Sequence, residues 1–228
     1  MRPSSDVVEA WASLPPGAKA ALQEQWEGLA AGGLACGSSI VGAGGSVIAS
    51  GRNCAYDVAG PPKTRVRYAL QHNRLAHAEL NALATISTEA DHHALTLWST
   101  QHPCSMCAAA LAFIEIGRVI YIADDLSDRR SNELIVASHG AIPYKSLESA
   151  LWWTVSNLLF LHNPAVRIGD RATSVTSAQA RFPRLASLAL KLAQEDALGK
   201  PARSGEPLLT ALEIHQAAIL QCVEEAPC

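Results

Sequence analysis

His77-Ala78-Glu79 and, further along, Pro103-Cys104-Ser105-Met106-Cys107 are the residues of this chain whose types and spacing could do chemistry. One imidazole and two thiolates make a zinc donor set. Cys104 and Cys107 stand three apart, so at the start of a helix both sulfurs lie on one face. A helix that begins just after Pro103 loses nothing by the missing N–H. Its positive end favours the thiolate form that metal binding requires. Structural zinc sites normally close with four protein ligands, whereas catalytic ones leave a position for water, so His77, Cys104 and Cys107 point to chemistry. Two thiolates also neutralise the metal's formal charge and make it a weaker electrophile. A base that helps ionise the water then matters, and Glu79 is placed for that. Residues two apart do not share a face of a regular helix. In a first turn, however, His77 can reach a metal off the helix end while the longer Glu79 reaches the water on it. The competing reading of Cys-x-x-Cys is a redox pair or half of a structural zinc site, and the preceding His-x-Glu weighs against both.

These residues need elements to hold them. Residues 6–31 read as helix broken at Leu14-Pro15-Pro16-Gly17. Leu34 to Val41 and Ser46 to Ser50 bracket Gly42-Ala43-Gly44-Gly45, the pattern of a hairpin. Residues 51–73 are loop-like. The pattern predicts a helix over 76–89, a strand over Ala94 to Ser99 and a helix from Cys104 to Ile116. A strand over Arg118 to Ala123 follows. This alternation argues for an α/β sandwich with parallel pairing in part of the sheet. Beyond about residue 146 the strand signals fade. Leu151 to Leu161 is apolar on all sides, as a buried helix would be. Stripes at Leu185, Leu188 and Leu192, and at Leu208, Leu212 and Ile219, predict two more helices joined by a Gly199 to Pro207 link. The expected division is residues 1–146, carrying the chemistry, and residues 147–228, a helical C-terminal extension packed on it or at a dimer interface.

Composition narrows the class. Apolar residues make up 49% and charged residues 17%, a balance that folds rather than stays disordered. Residues 1–150 hold 11 basic and 14 acidic side chains, and the remainder 7 of each. Neither part has the positive excess of a surface that grips phosphate backbones, which counts against nucleic acid. No run approaches the roughly 18 apolar residues of a membrane span, and the first residues do not resemble a signal peptide. A cytoplasmic location is the simplest expectation, and six cysteines without a secretion signal do not read as a disulfide framework.

The motif H-x-E followed by P-C-x-x-C is a signature of zinc deaminases. Three stretches carry a wider likeness: Gly51-Arg52-Asn53 after a hairpin, Ala76-His77-Ala78-Glu79-Leu80-Asn81-Ala82-Leu83, and Ser99-Thr100 leading to Pro103-Cys104-Ser105-Met106-Cys107-Ala108-Ala109-Ala110-Leu111. From about residue 17 to about 140 the chain resembles the cytidine-deaminase-like superfamily, most closely the branch of bacterial tRNA adenosine deaminases and guanine deaminases. The resemblance implies a three-layer α/β/α sandwich around a mixed sheet of about five strands, one catalytic zinc and commonly a homodimer. It also implies that Asn53 holds the substrate ring by its amide; the alternative is that Asn53 only turns the chain after Gly51. His102 stands where the branch usually has glutamate, and could support the metal loop or alter which ring fits. The helical tail is longer than a minimal tRNA deaminase needs.

The reaction expected is hydrolytic deamination of an amino-substituted heterocycle: a free base, a nucleoside or a triazine-like ring. In it Glu79 shuttles protons, and the backbone near Ala78 and Cys104 steadies the intermediate. A tRNA adenosine deaminase is the alternative enzyme, and a non-catalytic zinc-stabilised interaction protein the alternative of another class. Asp124 or Asp125 could bind the amino groups of such a ring, or form an exposed turn. His72 could line the pocket. Trp98, Trp152 and Trp153 are expected in the core, and Cys54 could border the site, while Cys36, Cys222 and Cys228 have no argued role.

Overall fold

Gly37–Val41 (β1) and Val47–Arg52 (β2) pair antiparallel around the expected glycine turn, where Gly42 N–H donates to Ser46 O and Gly45 takes the left-handed φ of 78°. A computed structural model describes residues 6–58, 68–71, 73–126 and 142–227. His72, Cys228 and residues 59–67 of the expected loop lie outside them. Strands Thr96–Gln101 (β3), Arg118–Ala123 (β4) and Tyr144–Ser146 (β5) complete a five-stranded sheet in the order β2-β1-β3-β4-β5. β1 meets β3 antiparallel, whereas β3–β4 and β4–β5 are parallel. The sheet is mixed, as the resemblance implied.

Alternation along the strands separates two apolar layers. Ile40, Leu97 and Val119 turn to one face, where they pack with Ala82, Leu111 and Ile116 of the elements carrying the metal motif. Trp98 and Ile122 turn to the other and join a larger core with Leu22, Leu29, Leu158 and Leu159. On that side lie helices Pro16–Ala30 (α2), which starts on the proline predicted to break the helical pattern, and Ala150–Ile168 (α5). The preceding helix, Val7–Ser13 (α1), is capped by Asp6. α5 is buried around almost its whole circumference, being wedged between the sheet with α2 on one side and later helices on the other. Each fully buried Leu there contributes about 1.5–3 kcal/mol.

Several boundaries differ from those read in the sequence. The helix expected over 76–89 is only Ala78–Leu83 (α3), after which turns lead to a 3₁₀ turn at His92–Ala94 and then β3. The second motif helix is Ser105–Phe113 (α4), with Cys104 as its N-cap. The C-terminal helices are Thr173–Arg181 (α6), Pro183–Gln194 (α7), Gly199–Ser204 (α8) and Leu208–Cys222 (α9). The predicted link from Gly199 to Pro207 is therefore largely helical. Pro201 falls in the first turn of α8, where its missing N–H has no intrahelical partner to lose. Gly205, with φ of 79°, supplies the left-handed stop. No helix among the described residues is long and apolar enough to cross a membrane.

Candidate metal centre

β3 ends at Gln101, and the chain turns through His102 and Pro103 into α4, so Cys104 and Cys107 sit at the carboxyl end of the sheet's middle strand. His77 caps α3 from the extended conformation, which takes it out of the helix and directs it past the helix end. Its Nδ1 lies 3.5 Å from Cys104 Sγ and 3.6 Å from Cys107 Sγ. The three donor atoms all fall within 4.8 Å of one another. Zinc bonds of about 2.0–2.1 Å to nitrogen and 2.3 Å to sulfur in a tetrahedron would put N and S about 3.6 Å apart, so the spacing suits one shared ion. Glu79 stands beside this triangle. Its Oε2 is 3.4 Å from Cys107 Sγ, and its Oε1 accepts from Ser99 Oγ at 3.3 Å. The structure thus brings together His77, Glu79, Cys104 and Cys107, with Ala78 buried as the first residue of α3.

One close approach and the polar contacts beside it set this geometry. Gly51 in β2 lies against α3, where a Cβ would come within 2.6 Å of Ala82 N and 2.7 Å of Ala78 O. Only glycine allows helix and strand to meet so closely. Asn81 of α3 then donates from Nδ2 to Arg52 O at 2.9 Å, tying the helix to the strand end. Arg52 itself forms a buried bidentate pair with Asp57, at 2.8 and 2.9 Å. That pair fixes the loop containing Asn53.

The electrostatics follow from crowding these groups without water. The Cys107 thiol donates to Cys104 and, with His77, holds Cys104 as a thiolate down to about 4. Cys107 is pushed up, first by that same donation, then by burial and by the charge of Glu79. The hydrogen bond with Cys104 raises His77 against the opposing effect of burial. Burial raises Glu79, placing a proton carrier nearer neutrality than an exposed carboxylate.

The remaining predicted residues divide. Asn53 is buried, and its Oδ1 accepts from Ala55 N at 3.1 Å, so it does make the turn read as the alternative in the sequence. His102 is buried against Tyr121 (ring centroids 4.6 Å apart, edge-on) and Tyr144 (5.5 Å, stacked), with its Nδ1 3.0 Å from Pro103 O. Asp124 lines a cavity of about 470 Å³ with Tyr121, Ser146, Glu148 and Trp153, a space bordered by none of the four grouped residues. It is Asp125 whose charge reaches His77. Trp98, Trp152 and Trp153 are buried, as expected. Cys54 is buried and donates to Arg52 O, one residue from Asn53.

Three neighbours were not singled out in the sequence. Ser99 contacts Glu79, and its signal is its position on the strand that delivers the cysteines. Cys36 lies at the foot of β1, its thiol raised by burial and by the charges of Glu79, Asp125 and Cys104. Tyr144 feels Glu79 and Cys107, and burial pushes its hydroxyl well up. Neither spacing nor periodicity points to the last two, which arrive through long-range strand pairing.

Residues 17–123 match the family described as the cytidine and deoxycytidylate deaminase zinc-binding region. Among solved structures, the chain is similar to one from a study of A-to-I editing by tRNA deaminases at the wobble position of transfer RNA. The two are 26% identical over 56% of this chain and 94% of that one, with a TM-score of 0.44. It is also similar to a guanine deaminase from Nitrosomonas europaea (16% identical, 63% and 80% covered, TM-score 0.44). A third is the dCMP deaminase of the cyanophage S-TIM5 in apo form (23% identical, 50% and 80% covered, TM-score 0.33). Residues 17–123, whose H-x-E and P-C-x-x-C motifs fold into one donor triangle on a mixed five-stranded sheet, are the part of the chain that matches this deaminase zinc-binding region.

Proposed function

We propose that this protein is a zinc-dependent hydrolytic deaminase that converts a small amino-substituted heterocycle (a free base, a nucleoside or a triazine-like ring) to its carbonyl product and ammonia. The observation that carries this is the triangle of His77 Nδ1, Cys104 Sγ and Cys107 Sγ with a buried carboxylate beside it. Zinc held by these three would polarise a water and bring its ionisation toward neutral pH. Glu79 would accept one proton from the attacking water and pass it to the ring nitrogen, then take the second from the hydroxyl of the adduct and pass it to the departing amine, leaving the carbonyl product and ammonia. Ser99 steadies the carboxylate between these transfers. Asn53 and His102 are the substrate-side residues of this reading, with Asp124 at its margin. The Asn53 amide nitrogen is the group available to a ring oxygen or nitrogen while Oδ1 keeps the turn.

A small ring rather than tRNA is favoured by the charge balance, which is −3 overall with neither half basic. In this reading residues 1–146 carry the chemistry and residues 147–228 support it. The active form is a homodimer, a state that would cover Phe113, 83% exposed at the end of α4. The test is ammonia release by zinc-loaded protein on a panel of bases, nucleosides, aminotriazines and an anticodon stem-loop, with Glu79→Ala as control. Turnover of a small ring that vanishes in the variant while zinc stays bound is the expected result. Turnover unchanged in Glu79→Ala, or confined to the stem-loop, overturns the assignment.

A further inference from the structure

Helix α5 carries none of the metal motif, yet its second turn touches the strand end that leads to Cys104. Ser156, fully buried, donates from Oγ to Thr100 O at 2.7 Å and accepts from Gln101 Nε2 at 3.0 Å. The Ser156 carbonyl in turn accepts from Gln25 Nε2 at 2.9 Å, and the same amide nitrogen donates to Ala35 O at 2.9 Å. From the other side, Gly37 N–H donates to Thr100 Oγ1 at 3.0 Å. One hydroxyl of the C-terminal region therefore holds two successive residues of β3 just past its last pair with β1, Ser38–Ser99.

Those two residues are followed by His102, Pro103 and Cys104, and on the other side Gln101 pairs with Ala123 of β4. The His102 N–H reaches Ala123 O at 2.7 Å, after which the chain leaves the sheet. The position of Cys104, and of Cys107 one turn on, depends on where Thr100 and Gln101 are held. We propose that Ser156 is a positioning residue for the metal loop, so that the helical C-terminal region sets the geometry in which the two sulfurs meet His77. This rests on the reading of His77, Cys104 and Cys107 as zinc ligands. Groups that orient a ligand from behind commonly change metal affinity by 10- to 100-fold when removed.

The test uses the full chain and reads the metal rather than turnover. Zinc affinity is measured by competition with a chromophoric chelator, and the visible spectrum of the cobalt-substituted protein reports the sulfur geometry. Ser156→Ala is expected to weaken zinc binding about tenfold and to shift the thiolate–cobalt bands. Were Ser156 only filling a seam between helix and sheet, the variant would melt earlier with affinity and spectrum unchanged, and that result overturns the proposal. If Ser156→Ala does not fold, Gln101→Leu decides. It keeps the Ser156–Thr100 bond, removes the second, and is expected to weaken zinc binding about threefold; unchanged affinity there also overturns it. Failure of the site reading looks different: the unaltered chain would bind no zinc, or would bind it equally well as His77→Ala.

Discussion

Ser99 Oγ donates to Glu79 Oε1 at 3.3 Å, joining the strand that delivers the cysteines to the helix that delivers the base. Burial raises Glu79 against the hydrogen bonds from its own backbone amide and from Cys107, and the Ser99 donor acts in the same direction as those bonds. Activity that needs the ionised base is therefore present above the Glu79 pKa and lost as pH falls through it, in a window higher than an exposed glutamate would give. In Ser99→Ala the supporting donor is gone and the pKa rises further. The acidic limb of the kcat/KM profile should move to higher pH, and a limb that stays in place removes Ser99 from the catalytic arrangement.

Metal uptake should release protons. Cys104 is already a thiolate at neutral pH, but Cys107 and His77 are both raised, so each gives up proton occupancy when a cation takes its lone pair. Zinc affinity should increase with pH between about 6 and 8. Calorimetric titration in buffers of different ionisation enthalpy should count between one and two protons released per ion. A pH-independent affinity with no proton release would mean that these groups are not the ligands.

Asn53 combines a structural bond through Oδ1 with a proposed substrate contact through Nδ2, and aspartate separates the two. Asn53→Asp keeps the acceptor for Ala55 N–H but has no amide donor. The melting temperature should stay within a few degrees of the parent while KM rises at least about tenfold, the cost of an unmet polar contact. Unchanged KM would leave Asn53 with its turn alone.

Gly51→Ala should cost more than its one methyl suggests. The new carbon would press on the backbone at Ala78 and Ala82, and backbone cannot swing aside as a side-chain tip can. α3 must retreat from β2, carrying His77 and Glu79 with it. We expect destabilisation of about 1–3 kcal/mol by thermal unfolding and weaker zinc binding in the same variant.

Asn157 in α5 is wholly buried, and neither amide atom has a hydrogen-bond partner. Replacing a buried unsatisfied amide by an apolar side chain of similar volume removes a penalty of about 1–3 kcal/mol. Asn157→Leu is therefore expected to raise the melting temperature. A clear drop would show that the amide has a partner in solution.

The residues of the donor triangle and Glu79 were legible because their spacing is local. His77 with Glu79, and Cys104 with Cys107, keep short spacings that a helix start converts directly into shared direction. The sheet was legible through alternation, as at Ile40 and Leu97. Element ends were not: α3 stops at Leu83, before a β-branched run at Thr85 and Ile86 that continues the apolar period without continuing the helix. α8 was hidden because Gly199, Pro201 and Gly205 were counted as breakers, although their order, proline in the first turn and glycine past the last, is that of a short helix. Asp124 and Asp125 are adjacent and chemically alike, so only the fold could separate them. Ser156 escaped altogether, since a serine within an apolar helix has no local signature and its partners lie 55 and 56 residues away.

The apolar side of α2 is covered in common by the sheet and by α5, through Leu22, Leu29 and Leu158 in one continuous interior. A chain shortened after β5 would present that side of α2 to water and leave Gln25 without its Ser156 acceptor. The interior beneath residues 1–146 is thus completed by the C-terminal helices in this polypeptide. A shorter relative using the same motif must shield the corresponding helix with something else, a second subunit or a differently composed surface.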